Sequence, residues 1–181
     1  MLIKKFLIFI LIIFACNITV SADETIKADN NAYRHNNKGL IFLDEHYYFG
    51  AIKEFQIAID LNPNSQASAT YYTNLGKTYE KIGYPKLAQE CYEKALERNI
   101  LCFDYYLQLA KNYKTLGIAN TKLNEYIRKK QSPLDDVMIG LLYIQCGDKS
   151  TGITVLDDFC NNEEKLILSK GVRNYLKEIT K

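Results

Sequence analysis

The chain has 181 residues, 48% of them hydrophobic and 24% charged, a composition that suits one globular domain rather than a disordered chain. Lys4 and Lys5 lie in an N-terminal segment without acidic residues, and the rest of the chain balances 21 basic against 21 acidic side chains. The formal net charge of +2 therefore gives no support to a nucleic-acid partner, which would need clustered lysine and arginine.

Residues 1–22 have the pattern of a signal peptide. Two lysines precede an uninterrupted apolar run at 6–15, which is shorter than the about 20 residues that span a membrane. The small residues of Val20-Ser21-Ala22 suit a signal peptidase. We therefore predict cleavage between Ala22 and Asp23 and export to the periplasm or the medium. An uncleaved anchor and a buried core helix are the alternatives.

A second processing route is open at Cys16. The stretch Ile13-Phe14-Ala15-Cys16 resembles a bacterial lipobox, in which the cysteine is lipidated and becomes the new N-terminus. Phe14 fits this pattern poorly, because that position usually holds a small or modest aliphatic residue. A lipid at Cys16 is the only membrane attachment of the exported chain that we expect.

Helical periodicity runs through the rest of the chain after a short polar lead at 23–31. We predict helices at 32–45, 49–61, 67–82, 85–98, 103–116, 119–131, 134–146 and 149–160. The clearest linkers are 62–65 and 132–133, and no segment has the pattern of a strand ladder. The basic cluster Arg128-Lys129-Lys130 ends one predicted helix, where cations interact favourably with the helix dipole.

A helical hairpin at Tyr71–Ala95 is the clearest local pattern. One face of its first helix carries apolar and small residues: Tyr72, Leu75, Gly76 and Tyr79. A glycine and a proline at 83–85 then break the helix. A matching face follows in the second helix: Ala88, Tyr92 and Ala95. The small residues would let the two helices approach closely, while the tyrosines fill the space beside them.

The same intervals recur on both sides of this hairpin. With an offset of 37 residues they fall on Gly39, Phe42, Ala51, Phe55, Ala58 and Pro63. With an offset of 34 they fall on Tyr106, Leu109, Ala110, Tyr113, Gly117 and Tyr126, and a further copy includes Gly140, Tyr143 and Gly147. A period of about 34 with small and aromatic residues at fixed places resembles the tetratricopeptide repeat.

The second copy lacks only the final proline of the family signature, where Ile100 stands, and the other three copies depart from it further. In the first copy, His35 and Lys38 replace the opening aromatic residue and the leucine. In the third, Lys122 and Lys129 stand where the family has small residues. The fourth has Gly152 and Phe159 where alanines are expected.

The resemblance implies an all-α fold, a right-handed α-solenoid of stacked antiparallel helix pairs. Three to four repeats would cover about 32–65, 69–102, 103–132 and 133–162. Residues 163–181 carry an imperfect apolar stripe, and we predict that they form a capping helix over the last repeat. A partner-binding helix is the alternative.

The cysteines give no clear disulfide pattern. Cys146 and Cys160 would end antiparallel helices about 18 Å apart, beyond the roughly 7 Å limit for bridged Cα atoms. We expect these two, Cys91 and Cys102 to be mostly buried free thiols. His35 and His46 have no cysteine near them, so neither a metal site nor a cofactor is expected.

No catalytic motif is present in the sequence. It lacks a G-x-S-x-G stretch, a Gly-rich phosphate loop and an H-E-x-x-H helix. We therefore expect no enzymatic activity.

Repeats of this family present a concave groove formed by the first helix of each pair. The predicted lining residues are Tyr33, Asn36 and Leu40 in the first repeat, Thr73, Lys77 and Glu80 in the second, and Leu107, Lys111 and Lys114 in the third. This groove would grade from apolar to basic and hold a peptide with apolar anchors and acidic side chains. The alternative is that these side chains are merely solvated. Asn36 and Leu40 do not match the family's clamp for chaperone carboxylates, so that function is not expected.

We therefore expect a non-enzymatic scaffold or assembly factor of the bacterial cell envelope that binds another protein or a peptide. The alternative is a lipoprotein tethered at Cys16, with a structural role in envelope or secretion-machinery assembly.

Overall fold

The computed structural model describes residues 26–181, so the predicted signal peptide, its cleavage site and Cys16 lie outside the described residues. All regular structure within 26–181 is helical. The helices are α1 (26–44), α2 (Tyr48–Leu61), α3 (Ser68–Lys81), α4 (Pro85–Arg98), α5 (Phe103–Thr115), α6 (Ala119–Lys129), α7 (Asp135–Gln145), α8 (Lys149–Asn162) and α9 (Ile167–Ile179). None of these is both long enough and apolar enough to cross a bilayer.

Helix α1 differs from the sequence expectation at its start. It is already helical at Ile26, whereas the prediction placed its first turn at residue 32 after a polar lead. Ala32 is fully buried, and Asp29 accepts a hydrogen bond from the Asn62 amide in the linker after α2. The polar start of α1 is therefore helical in part because Asn62, which follows α2, contacts it. Local composition alone does not indicate this contact.

The first helix of every pair ends in the same turn. The N–H groups of Tyr47, Tyr84, Ile118 and Asp148 each donate to the carbonyl five residues earlier, at 2.8–3.0 Å. This bond is the signature of a helix ending in a left-handed residue. Gly83, Gly117 and Gly147 supply that residue in three turns, with φ of 84°, 72° and 98°. His46 supplies it in the first turn, with φ of 61°.

Close approach of paired helices depends on glycine facing a large side chain. A Cβ added to Gly76 would lie 2.7 Å from a ring carbon of Tyr92, and Gly39 faces Phe55 in the same way at 2.6 Å. In the fourth pair Gly140 faces Leu156, also at 2.6 Å. The predicted role of the small residue at this position is confirmed by these contacts, since any side chain there would have to displace its neighbour.

The third pair is the exception. Its counterpart of Gly76 is Ala110, and α5 packs against α6 over only a short stretch, whereas α3 with α4 and α7 with α8 pack along most of their length. Lys122 and Lys129 replace the small residues that would face α5. The fourth pair, despite its unusual Gly152 and Phe159, is packed more closely than the third.

Helix α9 packs on α8, as a cap over the last repeat would, and also contacts α5 of the third repeat. Leu168, Val172 and Leu176 are buried in the same core as α7 and α8. On the adjoining face, Gly171 lies against Phe103 at the start of α5, where an added Cβ would be 2.5 Å from the Phe103 Cβ. The rings of Phe103 and Tyr175 are 5.3 Å apart. The C-terminal helix is thus fixed to the third repeat as well as the fourth.

One buried carboxylate explains both departures in the first repeat. Glu54 on α2 is buried; its Oε2 lies 2.5 Å from His35 Nδ1 and its Oε1 lies 2.7 Å from Lys38 Nζ. Burial raises the pKa of Glu54, but the hydrogen bonds and charges of Lys38 and His35 outweigh it, so the pKa lies below 4.5. The corresponding residues of the second repeat, Tyr72, Leu75 and Cys91, are apolar or neutral. An ionic contact therefore replaces apolar packing between α1 and α2.

Replacing Glu54 with Ala should destabilise the fold by about 1–3 kcal/mol at pH 7, because it removes the hydrogen bonds of a buried carboxylate to His35 and Lys38. The lowered pKa of Glu54 means that its contribution is present above pH 4.5 and is lost as the pH falls through the folded-state pKa. Urea unfolding from pH 3 to 7 measures this loss. The triple variant H35Y/K38L/E54C copies the second repeat and should restore stability; if it stays as unstable as Glu54→Ala, the carboxylate does not act through these two partners.

Replacing His46 with Gly should stabilise the protein by about 0.5–1 kcal/mol, because glycine adopts positive φ without steric cost and only part of this gain is offset by its flexibility when unfolded. The reciprocal change Gly83→His places a side chain at φ of 84° and should destabilise by a similar amount. Urea midpoints of both variants provide the measurement. A loss of stability in His46→Gly would instead indicate that the stacking of His46 on Tyr48 dominates.

Candidate functional site

The first helices of the first three repeats lie side by side, joined by polar side chains. Between α1 and α3, the Asn74 amide donates to Asn36 Oδ1 at 2.9 Å. Between α3 and α5 there are three links: Lys77 to Asp104 at 3.2 Å, Asn112 to Glu80 at 2.9 Å, and Thr70 to Tyr105 at 3.1 Å. These bonds fix the surface that was predicted as a groove, which we call the groove face.

Two predicted lining residues are buried within this surface. Asn36 is 5% exposed and held by Asn74, and Thr73 is 2% exposed. The Thr73 hydroxyl donates to the Ala69 carbonyl of its own helix at 2.9 Å. Helical spacing placed both on the correct side, but neighbouring first helices cover that position. Asn36 and Thr73 therefore contribute little accessible surface to the groove face.

Two further predicted residues are accessible only in part, because they are already paired. Lys77 bonds Asp104, and Glu80 accepts hydrogen bonds from Asn112 at 2.9 Å and from the Tyr92 hydroxyl at 3.0 Å. Asn112 is fully buried and also donates to the Pro85 carbonyl at 3.0 Å. Burial, reinforced by the Glu80 carboxylate, raises the pKa of Tyr92. Glu80 thus holds α3, α4 and α5 together.

The accessible part of the groove face lies at its two ends. Tyr33 is 60% exposed and Leu40 is 37% exposed on α1. Lys111 and Lys114 are exposed on α5, and neither forms an ion pair with any residue of 26–181. These four of the nine predicted residues combine exposure with freedom from ion pairs. They offer two apolar and two cationic side chains to a partner.

Near Tyr33 and Leu40 the structure exposes further apolar residues that the sequence analysis did not name. Ile26, Tyr33 and Leu40 follow one another at seven-residue spacing on α1, and all three are exposed. Ile41, Tyr47 and Phe49 are also exposed at the first hairpin. Seven-residue spacing is a signal that could have identified Ile26, but the prediction started the helix too late to include it.

Leu107 lies where the groove face meets α9. It lines a cavity of about 620 Å³ between α5 and α9, together with Cys102, Phe103, Gly171 and Tyr175. The C-terminal helix therefore forms one wall of the surface around the third repeat. This contact was not predicted, because the residues involved lie far apart in the chain and share no local pattern.

The cysteines and the basic cluster have structural surroundings. Cys91 and Cys160 are buried, Cys102 and Cys146 are half-buried, and all four are free thiols. Burial raises the pKa of Cys91 to about 12, which suppresses its thiolate at neutral pH. Lys129 pairs with Glu125 and Lys130 with Asp136. Within residues 26–181, no group of three or more His, Cys, Asp or Glu side chains is arranged to hold a metal ion.

Comparison with known families identifies one repeat directly. A family model for the tetratricopeptide repeat matches residues 69–99, which contain most of α3 and α4. These are the two helices with the most complete signature in the sequence. A search of curated proteins gave no match.

Solved structures with the same architecture extend the comparison to most of the chain. MamA is 22% identical with a TM-score of 0.50, over 79% of this chain and 85% of MamA. A tetratricopeptide repeat protein from Parabacteroides merdae is 22% identical with a TM-score of 0.52, over 83% and 67% of the two chains. PilF from Pseudomonas aeruginosa is 17% identical with a TM-score of 0.51, over 80% and 67%. The chain thus contains a tetratricopeptide repeat at 69–99, and its described residues share the all-α solenoid fold of tetratricopeptide repeat structures.

Proposed function

We propose that this protein is a non-enzymatic scaffold or assembly factor of the bacterial cell envelope, which binds a partner protein or peptide on its groove face. The observation that carries the proposal is the free surface of that face. Tyr33 and Leu40 expose apolar area at one end, and Lys111 and Lys114 expose unpaired positive charge at the other. Tetratricopeptide repeats are generally interaction modules rather than catalysts, which agrees with this assignment.

The chemistry of the free residues defines the partner. An aromatic and an aliphatic side chain provide anchor contacts of the kind enriched in the cores of interfaces. The two lysines favour acidic side chains in the partner and speed its approach by long-range attraction. Because Lys77 is already paired with Asp104, it contributes little free charge to that attraction. The partner is therefore a segment with apolar anchors at one end and acidic residues at the other.

Reversing the charge of the two free lysines in Lys111→Glu/Lys114→Glu should weaken partner binding about tenfold or more, since each lysine would change from attraction to repulsion. A photo-crosslinking phenylalanine analogue at the exposed Tyr33 reports binding in the native cell, and mass spectrometry identifies the adduct. We expect one principal adduct, with a yield that falls sharply in the double variant.

The matched control for this test is Lys53→Glu/Lys86→Glu, which makes the same change of charge at exposed positions on α2 and α4. It should leave the adduct unchanged. Equal loss of the adduct in both double variants would indicate a general charge effect, and an adduct insensitive to either would place the binding surface elsewhere.

The envelope location of the proposal rests on residues 1–22. A charged start, a short apolar run and small residues before Asp23 support cleavage after Ala22 and export. The lipobox-like stretch ending at Cys16 supports the alternative, a lipoprotein tethered to the membrane with a structural role in envelope or secretion-machinery assembly. In both routes the groove face would act outside the cytoplasm.

The two routes predict different N-termini, so replacing Cys16 with Ser separates them. Cleavage after Ala22 should continue in this variant, because Cys16 lies upstream of the cut. Intact mass of the protein from the envelope, with labelling by a fatty-acid analogue, provides the measurement. Label incorporation that is lost in Cys16→Ser would establish the lipoprotein route, and an unprocessed chain with no label would contradict both.

A further inference from the structure

The open third repeat creates a cleft away from the groove face. This cleft, which we call the α4–α6 cleft, lies between the second helices of repeats two and three, with α5 as its floor, and has a volume of about 490 Å³. Its apolar lining consists of Leu96, Ile100, Leu109, Tyr113 and Tyr126. Ile100 is 47% exposed at the rim, whereas Leu109 and Tyr113 are buried at the base. The volume is within the range of sites that accept small ligands or single large side chains.

Both lysines of the cleft contact the same carboxylate. Lys122 Nζ lies 3.2 Å from Glu125 Oε2 and 5.3 Å from the centre of the Tyr113 ring. Lys129 Nζ lies 2.8 Å from the other carboxylate oxygen of Glu125. These hydrogen bonds, the Lys129 bond above all, lower the pKa of Glu125 to about 2. Both cations of the cleft are therefore directed at one acidic group on their own helix.

Three carboxylates of the cleft remain without a cation. Glu93 accepts hydrogen bonds from the neutral Gln89 amide at 2.8 Å and the Tyr113 hydroxyl at 3.1 Å. Asp135 accepts from the backbone N–H groups of Gln131 and Ser132. Glu97 is exposed and has no ion-pair partner within residues 26–181. With Glu125, the four carboxylates and two lysines leave the cleft with two net negative charges.

We propose that the α4–α6 cleft binds an arginine side chain of a partner protein, together with an aliphatic residue beside it. The guanidinium would meet the carboxylates of Glu97 and Glu93, and its alkyl chain would pack along Tyr126. The neighbouring aliphatic residue would cover Ile100 and Leu96. Arginine fits better than lysine because its planar group binds carboxylates through two parallel hydrogen bonds and stacks on aromatic rings.

This site is separate from the groove face, so it gives the protein a second binding surface, which favours basic rather than acidic partner residues. The groove face presents free lysines, whereas the cleft presents excess carboxylates. One molecule could thus contact two chemically different segments, as a scaffold requires. The proposal does not depend on the groove face having a partner.

A short peptide pair tests the cleft directly. The probe is the capped peptide acetyl-Leu-Arg-Leu-amide, titrated into isotope-labelled protein while backbone amide signals are recorded. The comparison peptide carries Glu in place of Arg. We expect shifts at Leu96, Ile100 and Tyr126 with the arginine peptide only, and weaker binding as salt is added.

The variant Glu97→Gln should weaken binding of the arginine peptide about fivefold, the loss expected for one partly exposed ion pair. Glu97 has no ion-pair partner within residues 26–181, so this change should leave unfolding unaltered. The matched control is Glu45→Gln at the exposed α1–α2 turn, which should bind as the unchanged protein does. Equal effects of the two variants, equal binding of the two peptides, shifts confined to the groove face, or no binding of either peptide would each overturn the proposal.

Discussion

The contact between a glycine on one helix and a large side chain on its partner is the constraint on which this solenoid depends. Where Gly76 faces Tyr92, the two backbones approach closely enough that a single added carbon would lie 2.7 Å from the ring. The recurring left-handed turn directs the second helix back along the first, and the glycine then determines how close the two become. Close pairing buries the tyrosine completely, so much of the apolar burial in this repeat follows from the absence of one side chain.

The third repeat illustrates the consequence of relaxing this constraint. Ala110 replaces the glycine, and Lys122 brings a charge to a position that holds alanine or glycine in the other repeats. Desolvating an ammonium group between two helices would cost more than the apolar contacts would return. Helix α6 therefore packs on α7 and only slightly on α5, and the space it leaves becomes the α4–α6 cleft. The residues that depart from the repeat signature in this repeat thus account for the presence of the α4–α6 cleft.

The repeat unit could be predicted from the sequence, but the burial of its outer surface could not. Apart from the start of α1, the helix bounds, the turn positions and the role of Gly76 follow from local spacing, because each is fixed within one hairpin. Spacing also placed Asn36 and Thr73 on the correct face, yet both are buried, because the seam between adjacent first helices depends on how repeats stack. The contact of α9 with Phe103 was not predicted for the same reason. It joins segments that lie far apart in the chain, so the sequence of a single hairpin does not indicate it.

The first and third repeats have a carboxylate at equivalent positions, Glu54 and Glu125. They differ in which helix carries the basic side chains that contact this carboxylate. The partners of Glu54, the Lys38 ammonium and the His35 ring, are on α1, the opposite helix, so their contacts draw α1 and α2 together and substitute for apolar packing. The cations of Glu125 are on α6 itself, so both ion pairs form within one helix and neither joins α6 to α5, which Lys122 meets only over the Tyr113 ring. A carboxylate at the same repeat position thus joins α1 to α2 in the first repeat but does not join α5 to α6 in the third. The placement of the lysines, rather than the presence of charge, determines which repeat can offer a cleft to a partner.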